Sequence, residues 1–257
     1  MGERIRIAAA GDVHASEAHR PRLERAFDEL RGEVDLVLLA GDLTTHGDPD
    51  EAGVLADACG RLDGTPVYAV LGNHDHHLGR ADEVRQRLEE AGVVVLARQA
   101  TLHAHGDAIE VGIVGAKGFV GGFPGSSLPD FGEPLLRQVY AETTGEVWAI
   151  ERGLQEVAHA DLRIVLLHYA PTVETLEGEP VGIHTFLGCA RLATPIAEYQ
   201  PDLVLHGHAH AGSFEGAIGA TPVYNVAVHV TGKDFWIFDL DVTSSRRGEV
   251  EVEGPAG

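Results

Sequence analysis

Residues 5–14, IRIAAAGDVH, run from an apolar stretch straight into a glycine, an acid and a histidine. The pattern recurs at 34–44, VDLVLLAGDLT, and at 66–75, PVYAVLGNHD. Short runs of Val, Ile, Leu and Ala that stop at a glycine are typical of buried strands followed by a tight turn. These stretches therefore predict strands that deliver polar side chains at their carboxyl ends, where α/β sheets gather their functional sites.

The rest of the chain alternates in the same way. Further apolar runs predict strands at 93–96, 109–114, 162–167 and 203–206, and amphipathic stretches predict helices at 17–31, 49–62, 80–91, 132–158 and 188–199. This alternation indicates a layered α/β fold. Towards the end, 213–218, 221–228 and 235–241 follow one another as strands, so this last part of the sheet is expected to be antiparallel.

Length and composition favour one globular domain. With 257 residues, 44% of them hydrophobic, the chain can bury a full core. We expect that domain to span residues 1–242, with 243–257 as a polar, peripheral tail. The segments 117–131, KGFVGGFPGSSLPDF, and 171–187 lack periodicity and predict long loops, which tend to be functional. In the segment 117–131, Phe119 and Phe123 are expected to anchor the loop by packing rather than to stack on a ligand.

Charge and hydropathy exclude several classes of protein. The formal net charge is −21 and the only lysines are Lys117 and Lys233, so we expect no nucleic acid binding. No apolar window of about 18 residues exists, so no membrane span is expected. The apolar run 5–10 is too short for a secretion signal, which predicts a soluble, cytoplasmic protein. Cys59 and Cys189 belong to no ligand spacing and are expected to be buried and reduced.

Five short motifs carry the chemistry: GDVH at 11–14, GDLT at 41–44, GNHD at 72–75, LHYAP at 167–171 and HGHAH at 206–210. Each supplies carboxylate, amide or imidazole donors, and this thiolate-free set suits divalent Mn, Fe, Zn or Co, with Mn or Fe favoured. Ordinary turns also use Asp and Asn to bond their own backbone. That alternative accounts for one GD block but not for three alternating histidines after an apolar strand.

The order of the five motifs resembles that of the calcineurin-like metallophosphoesterases, from residue 12 to residue 210. The resemblance implies a four-layer α/β/β/α sandwich of two mixed sheets flanked by helices. It also implies two divalent metal ions, one bound by Asp12, His14 and His210, the other by Asn73, His168 and His208, with Asp42 bridging them. Two such ions about 3.5–4 Å apart activate a bridging water, so hydroxide rather than a side chain is the expected nucleophile.

Further residues are expected around the metals. The resemblance implies that His74 faces the substrate, stabilising the transition state or protonating the leaving oxygen, and we expect Asp75 to orient it. His46, His76 and Lys117 are candidates for substrate contacts, each with the alternative of a plain solvated side chain. His206 is expected to support the strand end. Histidines outside the motifs, including His229, are expected to be structural.

The predicted substrate is a small-molecule phosphate ester. The protein phosphatases of the family carry GDxVDRG and RGNHE, whereas this chain has GDLTTHG and LGNHD, so protein phosphatase activity is not expected. The motif style resembles bacterial phosphodiesterases, and a phosphodiesterase is the first prediction. The alternatives are a phosphomonoesterase acting on a nucleotide or sugar phosphate and a metal-binding scaffold without turnover. The sequence does not determine the oligomeric state.

Overall fold

The computed structural model describes residues 3–106, 109–242 and 250–252. The strands are β1 Glu3–Ala10, β2 Leu36–Ala40, β3 Val67–Val70, β4 Val94–Val95, β5 Gln99–His105, β6 Ile109–Gly115, β7 Gly122–Phe123, β8 Ser126–Ser127, β9 Leu162–Leu166, β10 Leu203–His206, β11 Glu215–Ile218, β12 Thr221–Asn225, β13 Trp236–Val242 and β14 Val250–Val252. The helices are α1 Arg20–Leu30, α2 Pro49–Cys59, α3 Ala81–Glu90, α4 Pro134–Glu156, α5 His184–Leu187, α6 Ala193–Tyr199 and α7 Val228–Thr231.

Two mixed sheets form the centre of the molecule. The first has the strand order β14-β13-β1-β2-β3-β4, and the second has the order β11-β12-β10-β9-β6-β5. In the first sheet β1, β2, β3 and β4 pair parallel, with β4 at one edge; in the second, β12, β10, β9 and β6 pair parallel in the middle. The strands β13, β14, β11 and β5 pair antiparallel towards the edges. The carboxyl ends of the parallel strands therefore form one polar edge in each sheet.

Three apolar clusters separate four layers. One cluster packs α1, α2 and α3 onto the first sheet, with Phe27, Leu55 and Leu88 buried against it. A second lies between the two sheets, where Ile7 and Leu38 meet Ile113 and Leu205. A third packs α4 and α6 onto the second sheet. The chain thus forms the expected α/β/β/α sandwich.

Local sequence explains where the main helices begin. Proline stands in the first turn of α1, α2 and α4, where its missing N–H needs no partner. The side chain of Asp48 caps α2 by accepting the N–H of Asp50 at 3.0 Å. Each helix then turns its apolar side chains towards a sheet, and this burial supplies most of its stability.

Several expectations about individual elements are corrected. Strand β5 was not expected, and the predicted loop 117–131 contains the short β7–β8 hairpin. The predicted helix 188–199 begins only at Ala193. The late strands do not form one antiparallel segment, because β11 and β12 belong to the second sheet and β13 to the first.

The structure describes only part of the predicted C-terminal tail. In the predicted tail, Val250–Val252 pairs with β13 and extends the first sheet, so these residues belong to the fold, while 243–249 and 253–257 lie outside the described residues. In the described part of the chain, no helix has the length and apolar character needed to cross a bilayer.

Candidate metal centre

The two sheets meet at their polar edges. The N–H of Gly11, directly after β1, donates to Val226 O at 2.8 Å, and the N–H of Val228 donates back to Gly11 O at 3.0 Å. His168 Nδ1, after β9 of the second sheet, donates to Ala40 O at the end of β2 in the first, at 2.9 Å. These contacts bring the segments that follow β1, β2, β9 and β12 together.

One donor group gathers at this junction from three of the motifs. It consists of Asp12, His14, Asp42 and His210, whose ligand atoms all lie within 4.8 Å of one another. His210 Nε2 is 2.8 Å from Asp12 Oδ1, and His14 Nε2 is 3.9 Å from Asp42 Oδ2. Asp12 and Asp42 are each only 1% exposed. This group is a candidate site for a cation with oxygen and imidazole ligands.

A second donor group shares Asp42 with the first. Its other members are the histidines His168 and His208, and the ligand atoms of the three residues again lie within 4.8 Å of one another. His168 Nε2 is 3.3 Å from Asp42 Oδ1 and 2.9 Å from Asn73 Oδ1, so the amide oxygen of Asn73 joins this group. Asp42 therefore presents one oxygen to each group, which is the geometry of a bridging carboxylate.

The hydrogen bonds fix which ring nitrogen faces inward. His168 Nδ1 must carry a proton because its partner, Ala40 O, can only accept. His208 Nε2 is likewise committed to Phe186 O at 3.1 Å. In the neutral rings, His168 Nε2 and His208 Nδ1 are then left with lone pairs. Oriented imidazole lone pairs beside carboxylate and amide oxygens suit a divalent metal ion.

Burial keeps these imidazoles in the ligating form. It lowers the pKa of His14, His168 and His208 to about 4. Burial would raise the pKa of Asp12, but the hydrogen bond from His210 and the neighbouring histidine charges lower it to about 2. Burial and the charge of Asp12 raise the pKa of Asp42. The hydrogen bond to Asp12 raises the pKa of His210, but two adjacent buried carboxylates beside three neutral rings still leave negative charge that bound cations would neutralise.

The backbone of the ligand loops is strained. Asp12, His14, Asp42 and His208 have φ values of 58°, 44°, 50° and 70°, in the left-handed region that non-glycine residues seldom adopt. Such strain clusters at functional sites and persists only where the surrounding structure enforces it. Here it turns the donor atoms back towards the junction of the two sheets.

Glycines beside the ligands permit this crowding. A Cβ on Gly72 would lie 2.1 Å from Asp42 Oδ1, and one on Gly207 would lie 2.3 Å from Asp12 Oδ2. A Cβ on Gly41, at φ +82°, would lie 2.5 Å from His168 Nδ1. The glycine in each of these motifs is therefore required by the close approach of the ligand from a different motif.

His74 stands at the mouth of the centre. Its Nδ1 donates to Thr45 O at 2.7 Å, and its Nε2 lies 4.0 Å from Asp42 Oδ2. Its backbone N–H donates to Asp42 Oδ1 at 2.8 Å. The ring packs edge-on against His14, with centroids 4.6 Å apart. Nε2 is thus the ring nitrogen turned towards the predicted metal ligands.

Asp75 does not orient His74, so that expected contact is wrong. The buried carboxylate of Asp75 accepts the N–H groups of Leu43, Thr44 and Gly72 at 3.1, 2.8 and 2.7 Å, and the hydroxyl of Thr44 at 2.6 Å. It therefore ties the loop after β2 to the loop after β3, which carry Asp42 and Asn73. Its effect on chemistry would pass through these ligand loops.

The three candidate residues for substrate contacts differ in their exposure and in the groups they contact. His46 pairs with Glu51 through Nδ1 at 2.8 Å, and its side chain is 62% exposed. His76 is exposed and Lys117 is partly buried, and both line one cleft. The structure does not bring His46 into contact with any of the predicted metal ligands among the described residues.

Sequence reasoning missed two rings that support the ligands. His229, on α7, stacks on His210 with centroids 4.2 Å apart and planes 10° apart. Tyr169 packs on His208 with centroids 4.5 Å apart. No local pattern marks His229, because its contact with His210 depends on how α7 folds back over the polar edge. Tyr169 could have been found from its place beside His168 in the LHYAP motif.

Other expectations about single residues are confirmed. His206 is fully buried at the strand end, between Gly207 O and Thr175 Oγ1 at 2.8 Å each. Cys59 and Cys189 are buried and unpaired. Phe123 packs in a small apolar cluster, and Phe119 packs partly buried beside Tyr169.

Comparison with known proteins agrees with this geometry. Residues 5–212 match the family model described as calcineurin-like phosphoesterase. No curated protein matches the chain significantly. Among solved structures, the chain resembles a phosphopantetheinyl hydrolase from Mycobacterium tuberculosis, with 14% identity and a TM-score of 0.63 over 100% of this chain and 99% of that one.

Two more solved structures share the fold at low identity. A putative 5′-nucleotidase from Staphylococcus aureus is 18% identical, with a TM-score of 0.62 over 97% of this chain and 53% of that one. A purple acid phosphatase from yellow lupin is 14% identical, with a TM-score of 0.50 over 93% of this chain and 49% of that one. The chain thus spans about half the length of these two proteins.

Proposed function

Because the chain belongs to the calcineurin-like phosphoesterase family and is therefore a hydrolase acting on phosphoric ester bonds, we propose that its substrate is a small phosphodiester. The convergence of two donor groups on the single carboxylate of Asp42 supports hydrolysis with two metal ions, and the motifs GDLT and GNHD, which resemble those of bacterial phosphodiesterases, support a diester as the substrate. One divalent ion is assigned to Asp12, His14 and His210, and the other to Asn73, His168 and His208, with Asp42 shared. When bound, the two ions supply a water of low pKa and polarise the phosphoryl oxygens.

The side chains around the ions have separate tasks. His74 is proposed as the proton donor, because its Nδ1 is held by Thr45 O and its Nε2 faces the centre. A proton on Nε2 can then pass to the departing alcohol oxygen, as expected of a positioned general acid. Asp75 holds the two ligand loops in register, and His229 and Tyr169 support the rings of His210 and His208.

The charges around the centre favour a diester over a monoester. A diester carries one negative charge at neutral pH, whereas a monoester carries up to two. Burial keeps His14, His168 and His208 neutral, whereas the hydrogen bond to Asp12 raises the pKa of the fourth ligand histidine, His210, and pairs its charge with that carboxylate. The nearby Arg98 is paired with Glu142 and Glu146. Apart from the bound ions and Lys117, the positive side chains near the centre are thus paired, which supports a singly charged phosphate group in a chain of net charge −21.

The proposal is tested by removing metals with a chelator and restoring Mn, Fe, Zn, Co or Mg one at a time. We expect hydrolysis of bis(p-nitrophenyl) phosphate to return with Mn or Fe and to exceed hydrolysis of p-nitrophenyl phosphate. Preference for the monoester would instead support a phosphomonoesterase. Metal binding without hydrolysis of either ester would support a scaffold. The chelated protein without added metal is the control.

A further inference from the structure

A cleft of about 290 Å³ opens beside the candidate metal centre. Its walls come from the end of β3 and the turn after it, from the start of α3, from the segment between β4 and β5, from Lys117 after β6 and from α4. Leu71, Leu96 and Ala97 form apolar parts of the wall, and charged side chains form the rest. A volume of this size accepts a small organic group.

The cleft is continuous with the ligand loops. Lys117 O accepts the N–H groups of His168 and Tyr169, both at 3.0 Å. On the opposite wall, His76 follows His74 by two residues and Leu71 precedes the ligand Asn73 by two. His76 and Lys117 both line the cleft. The cleft therefore lies next to the loops that carry the predicted ligands Asn73 and His168.

Lys117 is held in place by aromatic rings. Its Nζ lies 4.3 Å from the ring centroid of Phe119 and 5.1 Å from that of Tyr169. Tyr169 in turn packs on the predicted ligand His208. The ammonium donates to Gly118 O at 3.1 Å, and no other hydrogen bond from it occurs among the described residues. Two of its three N–H donors are thus available to a molecule in the cleft.

Two of the three acids that line the cleft, Glu142 and Glu146, are bound by other partners. Arg98 is bonded to the carboxylates of Glu142 and Glu146, the latter at 3.0 Å. The second oxygen of Glu146 accepts the N–H of Gly118 at 3.0 Å. Neither carboxylate is hydrogen-bonded to Lys117. An oxyanion from outside would form charge-assisted hydrogen bonds with this ammonium, which are stronger than bonds to a neutral oxygen.

We propose that the cleft is the subsite for one alcohol portion of the substrate and that Lys117 binds an oxyanion, a carboxylate or a second phosphate, carried by that portion. The inference rests on the proposed phosphodiesterase function and specifies its substrate class. Apolar carbon atoms of the alcohol pack against Leu71 and Leu96, and the terminal oxyanion reaches Nζ of Lys117. Lys117 is thereby a specificity residue for the substrate.

The first test compares matched substrates on the metal-loaded protein. p-Nitrophenyl ω-carboxyalkyl phosphates of increasing chain length are compared with their methyl esters, and a diester that ends in phosphate separates the two sources of oxyanion. We expect one chain length to give a KM about tenfold or more below that of its methyl ester, on the scale of a charge-assisted hydrogen bond. Lys117→Met should abolish this ratio.

The chain provides its own control for the lysine. Lys233 is the only other lysine, and its Nζ also lies over an aromatic ring, 4.3 Å from the centroid of Trp236. Lys233→Met should preserve the KM ratio between acid and ester. An equal ratio in the wild-type protein and in Lys117→Met would overturn the assignment of Lys117.

A second test uses the wild-type protein and needs neither turnover nor a variant that folds. Acylation by N-hydroxysuccinimidyl acetate is followed by peptide mass at Lys117 and Lys233 in one sample. An ω-carboxyalkylphosphonate should slow acylation of Lys117 but not of Lys233, and the alkylphosphonate without the carboxylate should slow neither. Protection of Lys117 without hydrolysis of any diester would support the subsite and contradict the phosphodiesterase. Diester hydrolysis without protection of Lys117 would support the phosphodiesterase and contradict the subsite.

Discussion

Asp42 is the single residue on which both donor groups depend. Its Oδ1 lies 3.3 Å from His168 Nε2 and its Oδ2 lies 3.9 Å from His14 Nε2. We expect Asp42→Asn to weaken both metals at once, by more than the roughly 10–100-fold that follows loss of an outer-sphere partner. Metal content after equilibrium dialysis, measured by mass spectrometry, checks this result.

Asp12→Asn is the matched control for Asp42→Asn. Asp12 belongs to only one of the two donor groups, so this change should weaken one metal and leave the group of Asp42, His168 and His208 able to bind the other. If Asp42→Asn also lost only one metal, Asp42 would not be the bridging ligand.

His74 is expected to act on the substrate rather than on the metals. Its Nε2 stands 4.0 Å from Asp42 Oδ2, and it belongs to neither donor group. His74→Asn should retain both metals and lower kcat by about 10²-fold or more, the usual scale for a general acid. Steady-state kinetics and metal analysis of the same preparation check both parts. Loss of metal together with activity would make His74 a ligand.

The residues also show where sequence reasoning works. The five motifs placed the predicted ligands correctly at strand ends, because a strand followed by glycine and a donor is a local pattern. The expected contact between His74 and Asp75 failed for a local reason as well. Both residues lie in the 3-10 turn His74–His76, where adjacent side chains point in different directions. Asp75 is therefore directed into the protein and His74 towards the mouth.

At the scale of elements, the turn after β3 makes the sharpest prediction. A Cβ at Gly72 would lie 2.1 Å from Asp42 Oδ1 and 2.3 Å from Asp42 N. We expect Gly72→Ala to displace the carboxylate, reduce the affinity for both metals and destabilise the fold by about 1–3 kcal/mol through overpacking. Metal titration and denaturant unfolding measure the two effects.

Gly60→Ala is the control for this turn. Gly60 follows α2 with an ordinary φ of −59°, and a Cβ there would meet no atom within 4 Å. The Gly60→Ala protein should bind both metals as the wild type does. It should be no less stable, because alanine restricts the unfolded chain more than glycine does. Wild-type metal affinity in Gly72→Ala would show that the turn has room to move.

The elements that were missed lack a strong local pattern. Strand β5, QATLHAH, is mostly exposed or half-buried at a sheet edge, so no continuous apolar run announces it. The assignment of β12 and β13 to different sheets is set by tertiary packing, since both read equally as strands. Core strands such as β2, buried along its whole length, were predicted because burial on both faces gives an unbroken apolar run.

At the scale of the whole molecule, the polar edge between the sheets makes stability depend on pH. Burial lowers the pKa of His14, His168, His206 and His208 to about 4. A histidine with a lower pKa in the folded state binds fewer protons there than in the unfolded chain. Its contribution to stability is fully present above the unfolded value of about 6.5 and is lost as the pH falls towards 4.

We therefore expect the Tm of the chelated protein to fall as the pH is lowered from about 6.5 to 4, with the unfolded pKa setting the upper limit. Bound metal should raise Tm at neutral pH and lose that effect in the same range, because protons compete with the metal for the imidazoles. Thermal unfolding followed by circular dichroism, with and without metal, measures both curves. His159→Gln, at a histidine whose side chain is 62% exposed, should not change either curve. A Tm that stays constant across this range would mean that the loss from the histidines is offset by Asp42 and Asp75, because burial raises the pKa of both carboxyls and makes their contribution to stability grow as the pH falls.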